Sequence, residues 1–259
     1  HQLGEFLGWF LENTMIREIQ PIAKQFKLYL DHEHPRSARN GNQKVRWLDQ
    51  NGNHHDLDIV LEKNGTDKQV GVPVAFIEMA WRRYTKHSKN KAQEISDSVR
   101  AVVKNNSTYA PFYSTVLAGV FTKNSIKQLR SEGFTVLYFP LSKVKSAFQN
   151  ITSINISTTE KTPESKIQQI FNSLNQLSNR QIENVGDELI RLNQSEYNHF
   201  ISDLINAINR QTAKVFVSSN FSVGNSFTKI AEAIAFLQKI DLKREYRKAS
   251  FEQFKIEIL

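Results

Sequence analysis

Two short apolar segments, each interrupted by a single acid, restrict the fold of this chain more than any other feature. Asp58 interrupts the run DLDIVLE, residues 56–62, and Glu78 interrupts VAFIEMAW, residues 74–81. Both runs have the length and the β-branched and aromatic content of strands. If the strands are neighbours, the alternation of side chains between the two faces brings both carboxylates to one point of the sheet.

Two carboxylates at one point repel each other and lose hydration, so they are tolerated chiefly where a cation or a shared proton compensates. The chain contains no cysteine, and two oxygen ligands predict Mg²⁺ or a similar divalent ion. Such an ion polarises a scissile phosphate and lowers the pKa of an attacking water. The alternative is a pair of solvated acids on the open face of an antiparallel sheet.

The order of predicted elements defines an α/β class. An amphipathic helix over 3–30, kinked or divided by Pro21, comes first. A meander of three strands follows, in which the first two strands form a hairpin around Asn51-Gly52. The elements after the helix are strands over 44–49, 56–62 and 74–81, a helix over 84–104, a strand over 114–122, a short helix ending at Gly133, and the strand FTVLYFP.

The composition changes past Leu141. Residues 150–165 are rich in Ser and Thr and predict a linker between a core over 1–149 and a region over 166–259. In that second region the sequence pattern predicts helices and then a small strand-helix-strand unit. Its predicted elements are helices over 164–178 and 182–209, the strand AKVFVS, a helix over 226–239 and a strand in FEQFKIEIL.

Charge and composition limit the partners. The formal net charge of +8 permits a polyanion such as nucleic acid, without requiring one. No apolar run approaches about 18 residues, and the first residues do not resemble a signal peptide, so no membrane partner is expected. Together with the absence of cysteine, this predicts a cytoplasmic location.

The order helix, three-strand meander, helix, strand, with acids on the second and third strands, resembles the PD-(D/E)xK restriction-endonuclease-like superfamily. The resemblance covers about residues 1–145, and HDLDIVLE followed by PVAFIEMAWRRYTKHSKNKAQEI is similar to a group of bacterial type II restriction enzymes. It implies Mg²⁺-dependent hydrolysis of double-stranded DNA, with Asp58 and Glu78 as catalytic acids and metal ligands. It also implies a companion DNA methyltransferase. A homodimer suits the cutting of two strands of a palindrome.

The superfamily pattern has a lysine two residues after the second acid, where this chain has Ala80. Either the lysine has moved to the following helix or the site is inactive. The candidates on that helix are Lys86, Lys89 and Lys91. A helical wheel centred on the apolar stripe puts Lys89 nearest the buried side, which makes it the first choice for orienting water and stabilising charge on the phosphate.

Further site residues follow from the same resemblance. Members of this fold often supply another acid from the first helix, where Glu12 is the first choice and Glu5 and Glu18 are alternatives. Gln93 is a candidate supporting residue. His54 and His55 adjoin a hairpin turn, where polar residues are ordinary, so a zinc site is not expected there.

Four arginines flank the proposed site and predict contacts with DNA phosphates, namely Arg36, Arg39, Arg82 and Arg83. The expected function is that of a type II restriction endonuclease. A repair or recombination nuclease of the same fold is one alternative. A DNA-binding module with an inactive site is the other, and Ala80 favours it.

Overall fold

The computed structural model describes residues 2–84, 88–210, 215–219, 224–239 and 254–258. The chain divides into two compact units, His1–Ile208 and Asn209–Leu259. In chain order the elements of the first unit are α1 (Gln2–Gln25), β1 (Leu28–Asp31), β2 (Val45–Leu48), β3 (His54–Leu57), β4 (Ile59–Lys63), β5 (Val72–Arg82), α2 (Ser88–Asn105), β6 (Phe112–Gly119), α3 (Lys123–Ser131), β7 (Thr135–Pro140), α4 (Leu141–Thr152), α5 (Glu164–Asn175), α6 (Asn179–Leu192) and α7 (Gln194–Ile208). The α/β class is thus confirmed.

The main sheet has five strands in the order β1-β4-β5-β6-β7. Strands β1, β4 and β5 pair antiparallel, whereas β5, β6 and β7 pair parallel. Helices cover both faces, because α1 and α4–α7 pack on one side and α2 and α3 on the other. The alternation predicted for β5 is present: Ile77 and Met79 belong to the first core, and Phe76 and Ala80 to the second.

The first helix is shorter than predicted, and the chain after it forms the edge strand of the sheet. Pro21 lies inside an uninterrupted α1, which ends at Gln25. Lys27 then adopts a left-handed conformation with φ of 55°, which terminates a helix. Leu28–Asp31 form β1, antiparallel to β4, with Leu30 opposite Leu61.

The predicted three-strand meander is wrong in its first strand. Strands β2 and β3 form a hairpin whose turn contains Gly52 at φ of 83°, as the Asn-Gly turn predicts. This hairpin is a separate two-stranded sheet, and β1 occupies the place beside β4. The predicted second strand is divided, because the chain bends at Asp58 between β3 and β4.

The predicted linker over 150–165 is not a boundary between units. Helix α4 occupies its first residues, and Ile156 is 3% exposed in the same core as α1. Helices α5–α7 join that core through Leu174, Leu189 and Phe200. The Ser- and Thr-rich composition concealed these contacts, and the division falls after residue 208 instead of at 149–166.

The second unit is small. Its elements are β8 (Val215–Ser219), β9 (Asn225–Phe227), α8 (Ile230–Gln238) and β10 (Phe254–Ile258). The three strands form an antiparallel sheet in the order β10-β8-β9, and β9 occupies the start of the predicted helix over 226–239. Within the described ranges, no helix of the chain is both long and apolar enough to cross a membrane.

Candidate active site

Asp58 and Glu78 come together where β4 begins beside β5. The pairing of Ile59 with Ile77 places the two acids opposite each other. Because the chain bends at Asp58, its side chain turns toward β5, and Oδ2 accepts a 2.6 Å hydrogen bond from the Met79 backbone N–H. The Asp58 backbone N–H in turn donates to the Glu78 carboxylate. The predicted convergence of the two acids is present in the structure.

These two carboxylates are partly buried, and burial is the largest influence on both pKa values. It raises the pKa of Asp58 to about 6, against the opposing effects of the Met79 N–H and the Lys91 charge. Burial and then the Asp58 charge raise the pKa of Glu78 well above its ordinary value. The Oε2 atom of Glu78 is buried and has no hydrogen-bond partner within the described residues. This arrangement disfavours two negative charges unless a cation or a proton joins them.

Two further acids, Glu12 and Glu33, interact electrostatically with Asp58. Burial, followed by the charges of Asp58 and Glu33, raises the pKa of Glu12 to about 7. Glu12 is therefore the acid of α1 near the site, whereas the alternative Glu18 accepts a 2.6 Å hydrogen bond from the Tyr197 hydroxyl. Glu33 was not predicted, since it follows β1 directly and could be placed only by recognising that strand.

Among the lysines of α2, the structure favours Lys91 over Lys89. The Lys91 charge lowers the pKa of both Asp58 and Glu78, and its side chain is 16% exposed. Its Nζ lies 2.6 Å from Glu94 Oε1. Lys89 is exposed in the first turn of α2. Lys86, the third candidate, lies outside the described residues.

The wheel placed Lys89 nearer the buried side than Lys91 because it used only apolar residues. The buried side of α2 also includes Ser88 and Ser96. Lys91 lies between Ser88 and Ile95, one turn away in each direction, and so borders the buried side. Ala80, which stands where the PD-(D/E)xK pattern has a lysine, is 4% exposed and packs in the core beneath α2.

Gln93 does not contact the acid pair. Its side-chain amide donates to Asp97 Oδ1 at 2.9 Å, and its Oε1 accepts from Gln128 of α3 at 2.8 Å. These contacts tie α2 to α3. The expectation that Gln93 assists in the site is therefore wrong for this structure.

Arg36 is a buried structural residue, and the prediction that it contacts DNA is wrong. Its side chain is fully buried, with Nη1 2.7 Å from both Asp31 Oδ2 and Glu62 Oε1. It also donates to the backbone oxygens of Thr66 and Gln69. Burial disfavours the guanidinium charge, but the hydrogen bonds and charges of Glu62 and Asp31 raise the pKa of Arg36 above its ordinary value.

Arg39 belongs to the same cluster. Its side chain is 8% exposed, its Nη2 lies 3.2 Å from Asp31 Oδ1, and it donates to the His34 backbone oxygen at 2.8 Å. It is therefore unable to reach a phosphate in this conformation. A basic loop composition indicated exposure, but the acids of β1 and β4 draw both arginines inward.

Arg82 and Arg83 remain available to a ligand. They end β5 and begin the loop after it, and neither forms an ion pair within the described part of the chain. Arg82 donates to the Trp81 backbone oxygen, and the Arg83 guanidinium lies 4.7 Å from the centre of the Tyr84 ring. Their position at the end of the strand that carries Glu78 suits phosphate contacts.

The histidines of the hairpin have structural contacts. The two ring nitrogens of His55 lie 3.1 Å from Asp49 Oδ2 and 3.1 Å from Ser98 Oγ, which ties the hairpin to α2. Among the described residues, no group of three or more His, Cys, Asp or Glu side chains is placed to hold a metal ion. Asp58 and Glu78 therefore offer two protein ligands.

Comparisons with known proteins give no functional information. No family model matches the chain, and no curated protein matches it. A solved structure described as a protein of unknown function, AF1548, is 8% identical and has a TM-score of 0.32. That match covers 75% of this chain and 98% of the other.

Proposed function

We propose that this protein is a Mg²⁺-dependent endonuclease of the PD-(D/E)xK restriction-endonuclease-like kind, acting on double-stranded DNA. One observation carries the proposal: two partly buried carboxylates, Asp58 and Glu78, lie side by side, and Glu78 has a buried oxygen without a partner. The topology supports it, because the acids lie on adjacent antiparallel strands, β5 leads through α2 to a parallel strand, and α1 precedes the sheet.

The donor set fits Mg²⁺. This ion is commonly held by one or two carboxylates and completes its coordination with water and substrate phosphate oxygens. Asp58 and Glu78 supply that number of carboxylates, and the buried Oε2 of Glu78 has no competing hydrogen-bond donor within the described residues. When bound, the ion would polarise the scissile phosphate and promote deprotonation of the attacking water.

The remaining roles belong to side chains around the pair. Lys91, whose charge reaches both acids, would stabilise negative charge on the phosphate. Glu12, with its pKa raised to about 7, would accept or return a proton near neutral pH. Arg82 and Arg83 would hold the DNA backbone on either side of the scissile bond.

The proposal includes a type II restriction role, with a homodimer cutting both strands and a companion methyltransferase protecting the host. A repair or recombination nuclease would use the same site on a different DNA shape. The inactive binding module has one observation in its favour, since Ala80 lies in the core where the superfamily has a lysine. The position of Lys91 favours the active enzyme.

The test is incubation of the purified protein with unmethylated phage DNA, with Mg²⁺ or with EDTA. Discrete Mg²⁺-dependent fragments are expected, and they should disappear with Asp58→Asn. Asp56→Asn is the matched control, because Asp56 is two residues away, exposed, and paired with Lys44 and Arg46. A smear would indicate the repair-type nuclease. DNA left intact on all substrates would overturn the proposal.

A further inference from the structure

A basic cavity lies beside β7, the edge strand of the main sheet, and neither acid of the pair lines it. A cavity of about 430 Å³ lies between α3, the end of β7 and the junction of α6 and α7. One acid, Glu196, faces it together with four cations. The cations are Lys123, Lys127, Arg130 and Lys143.

The positive charge of this cavity is mostly uncompensated. Arg130 Nη2 lies 3.8 Å from Glu196 Oε2, and both side chains are 54% exposed, so this pair is weak. Lys123 and Lys127 are exposed, and neither has an acidic partner in the described ranges of the chain. The cavity therefore attracts an anion.

A buried asparagine fixes one of the four cations. Asn193 is 3% exposed, and its amide donates to the Tyr138 backbone oxygen at 3.0 Å. Its Oδ1 accepts a hydrogen bond from Lys143 Nζ, which holds that ammonium group at the wall of the cavity. Lys143 thus has a defined position, whereas a solvated surface lysine does not.

The cavity lies at the end of the sheet where strand β5 finishes with Arg82. In the parallel part of the sheet, Arg82 aligns with Gly119 and Gly119 with Pro140, so β5, β6 and β7 end together. Lys123 and Lys143 follow the ends of β6 and β7. Two strand spacings amount to roughly 10 Å, so one nucleic acid strand can span Arg82 and the cavity.

We infer that this cavity binds a backbone phosphate of the DNA, a few nucleotides from the bond that is cut. The inference rests on the proposed function, and it adds a contact that the acid pair does not supply. The ligand chemistry is a phosphate group, and its source is a nucleic acid strand spanning Arg82 and the cavity. Inorganic phosphate is the competing source.

The experiment measures duplex DNA binding in EDTA, at several salt concentrations, for the wild type and for Lys123→Ala/Lys127→Ala. The variant should bind at least about tenfold more weakly, and its slope of log affinity against log salt should fall by about one for each lysine that contacts a phosphate. Lys24→Ala/Lys166→Ala, which removes two exposed lysines elsewhere, should keep the wild-type slope. Circular dichroism verifies that both variants fold.

Each outcome separates the inference from the proposed nuclease activity. A wild-type slope and affinity in Lys123→Ala/Lys127→Ala overturn the inference, even if Mg²⁺-dependent cleavage is present. A reduced slope supports it, even if no cleavage occurs. If inorganic phosphate stabilises the wild type against heat but not the variant, and DNA does not bind either, the cavity is a site for free phosphate and the inference is wrong.

Discussion

Two pairs of carboxylates lie at the two ends of strand β4, and their charges are compensated differently. At one end of β4, Asp31 and Glu62 are fully buried around Arg36, which lies 2.7 Å from both. At the other end, Asp58 and Glu78 form no ion pair with any described residue, and Lys91, whose charge lowers the pKa of both acids, pairs with Glu94. The first pair has an arginine in direct contact with both acids, whereas the described part of the chain places none against the second.

This difference distinguishes structural acids from candidate catalytic acids. Burying a carboxylate costs several kcal/mol unless hydrogen bonds and opposite charge offset that cost. Arg36 provides both to Asp31 and Glu62. Burial raises the pKa of Asp31 as well, so the pKa values alone do not separate the two pairs. Asp58 and Glu78 receive backbone N–H donors but no guanidinium from the described residues, which is why we propose them as the site of an external cation.

The largest expected effect is on cleavage when the second pair is broken. Glu78→Ala should lower the cleavage rate by at least about a thousandfold, because bound metal ions contribute several kcal/mol of charge stabilisation in the transition state. The measurement is single-turnover cleavage with saturating DNA. Asp56→Ala is expected to cleave at the wild-type rate, and equal losses in the two variants would contradict the assignment.

Breaking the first pair should instead affect folding. Arg36→Ala leaves two buried acids without their cation and should lower the free energy of unfolding by about 3–5 kcal/mol. Urea denaturation gives this value. Arg46→Ala, which breaks an exposed pair with Asp56, should cost less than about 1 kcal/mol. A similar small loss for Arg36→Ala would show that the cluster does not stabilise the fold.

A third prediction concerns which lysine of α2 serves the pair of Asp58 and Glu78. Lys91→Ala should reduce the single-turnover rate by about a hundredfold, as expected for loss of one group that stabilises transition-state charge. Lys89→Ala should change the rate by less than about twofold, since Lys89 is exposed at the start of α2. If Lys89→Ala shows the large loss and Lys91→Ala the small one, Lys89 is the catalytic lysine, as the helical wheel predicts. DNA affinity should change little for Lys91→Ala.

The smallest effect is the pH dependence of stability without metal. Burial raises the pKa of Asp58 to about 6 and that of Glu12 to about 7, so the folded state binds these protons more tightly than the unfolded state does. Their contribution to stability therefore falls as pH rises from about 4 to 7 and is constant above.

Thermal melts in EDTA between pH 4.5 and 8 measure this dependence. Asp58→Asn should show a shallower decline than the wild type, because it carries no ionisable group at that position. Asp56→Asn should follow the wild type. A steeper decline in Asp58→Asn would contradict the assigned origin of the effect.

The sequence alone predicted that Asp58 and Glu78 lie together. It did not show that the other two acids, Asp31 and Glu62, form ion pairs with Arg36. Alternation along β5 predicted which face carries Glu78, because that strand is long and covered on both sides. Glu62 lies in the same run as Asp58, but nothing in the pattern indicates that Arg36 folds onto it. Burial of a loop arginine depends on contacts between β1 and β4, which only the fold brings together.

The errors in the fold have similar causes. Strand β1 has four residues, and no proline or glycine separates it from the long helix before it, so its period could not be distinguished from a helical continuation. Ile156 has Ser and Thr around it, and the polar composition outweighed one apolar residue that packs in the core. In each case a long-range contact determined the structure.

The most direct test of this contrast is a Mn²⁺ titration of the purified protein without DNA, followed by electron paramagnetic resonance. The wild type and Asp56→Asn should each bind one ion that Mg²⁺ displaces, and Glu78→Gln should lose that binding while remaining folded. If Glu78→Gln binds Mn²⁺ as tightly as the wild type, or the wild type binds none, then Asp58 and Glu78 are not a metal site and the central claim is wrong.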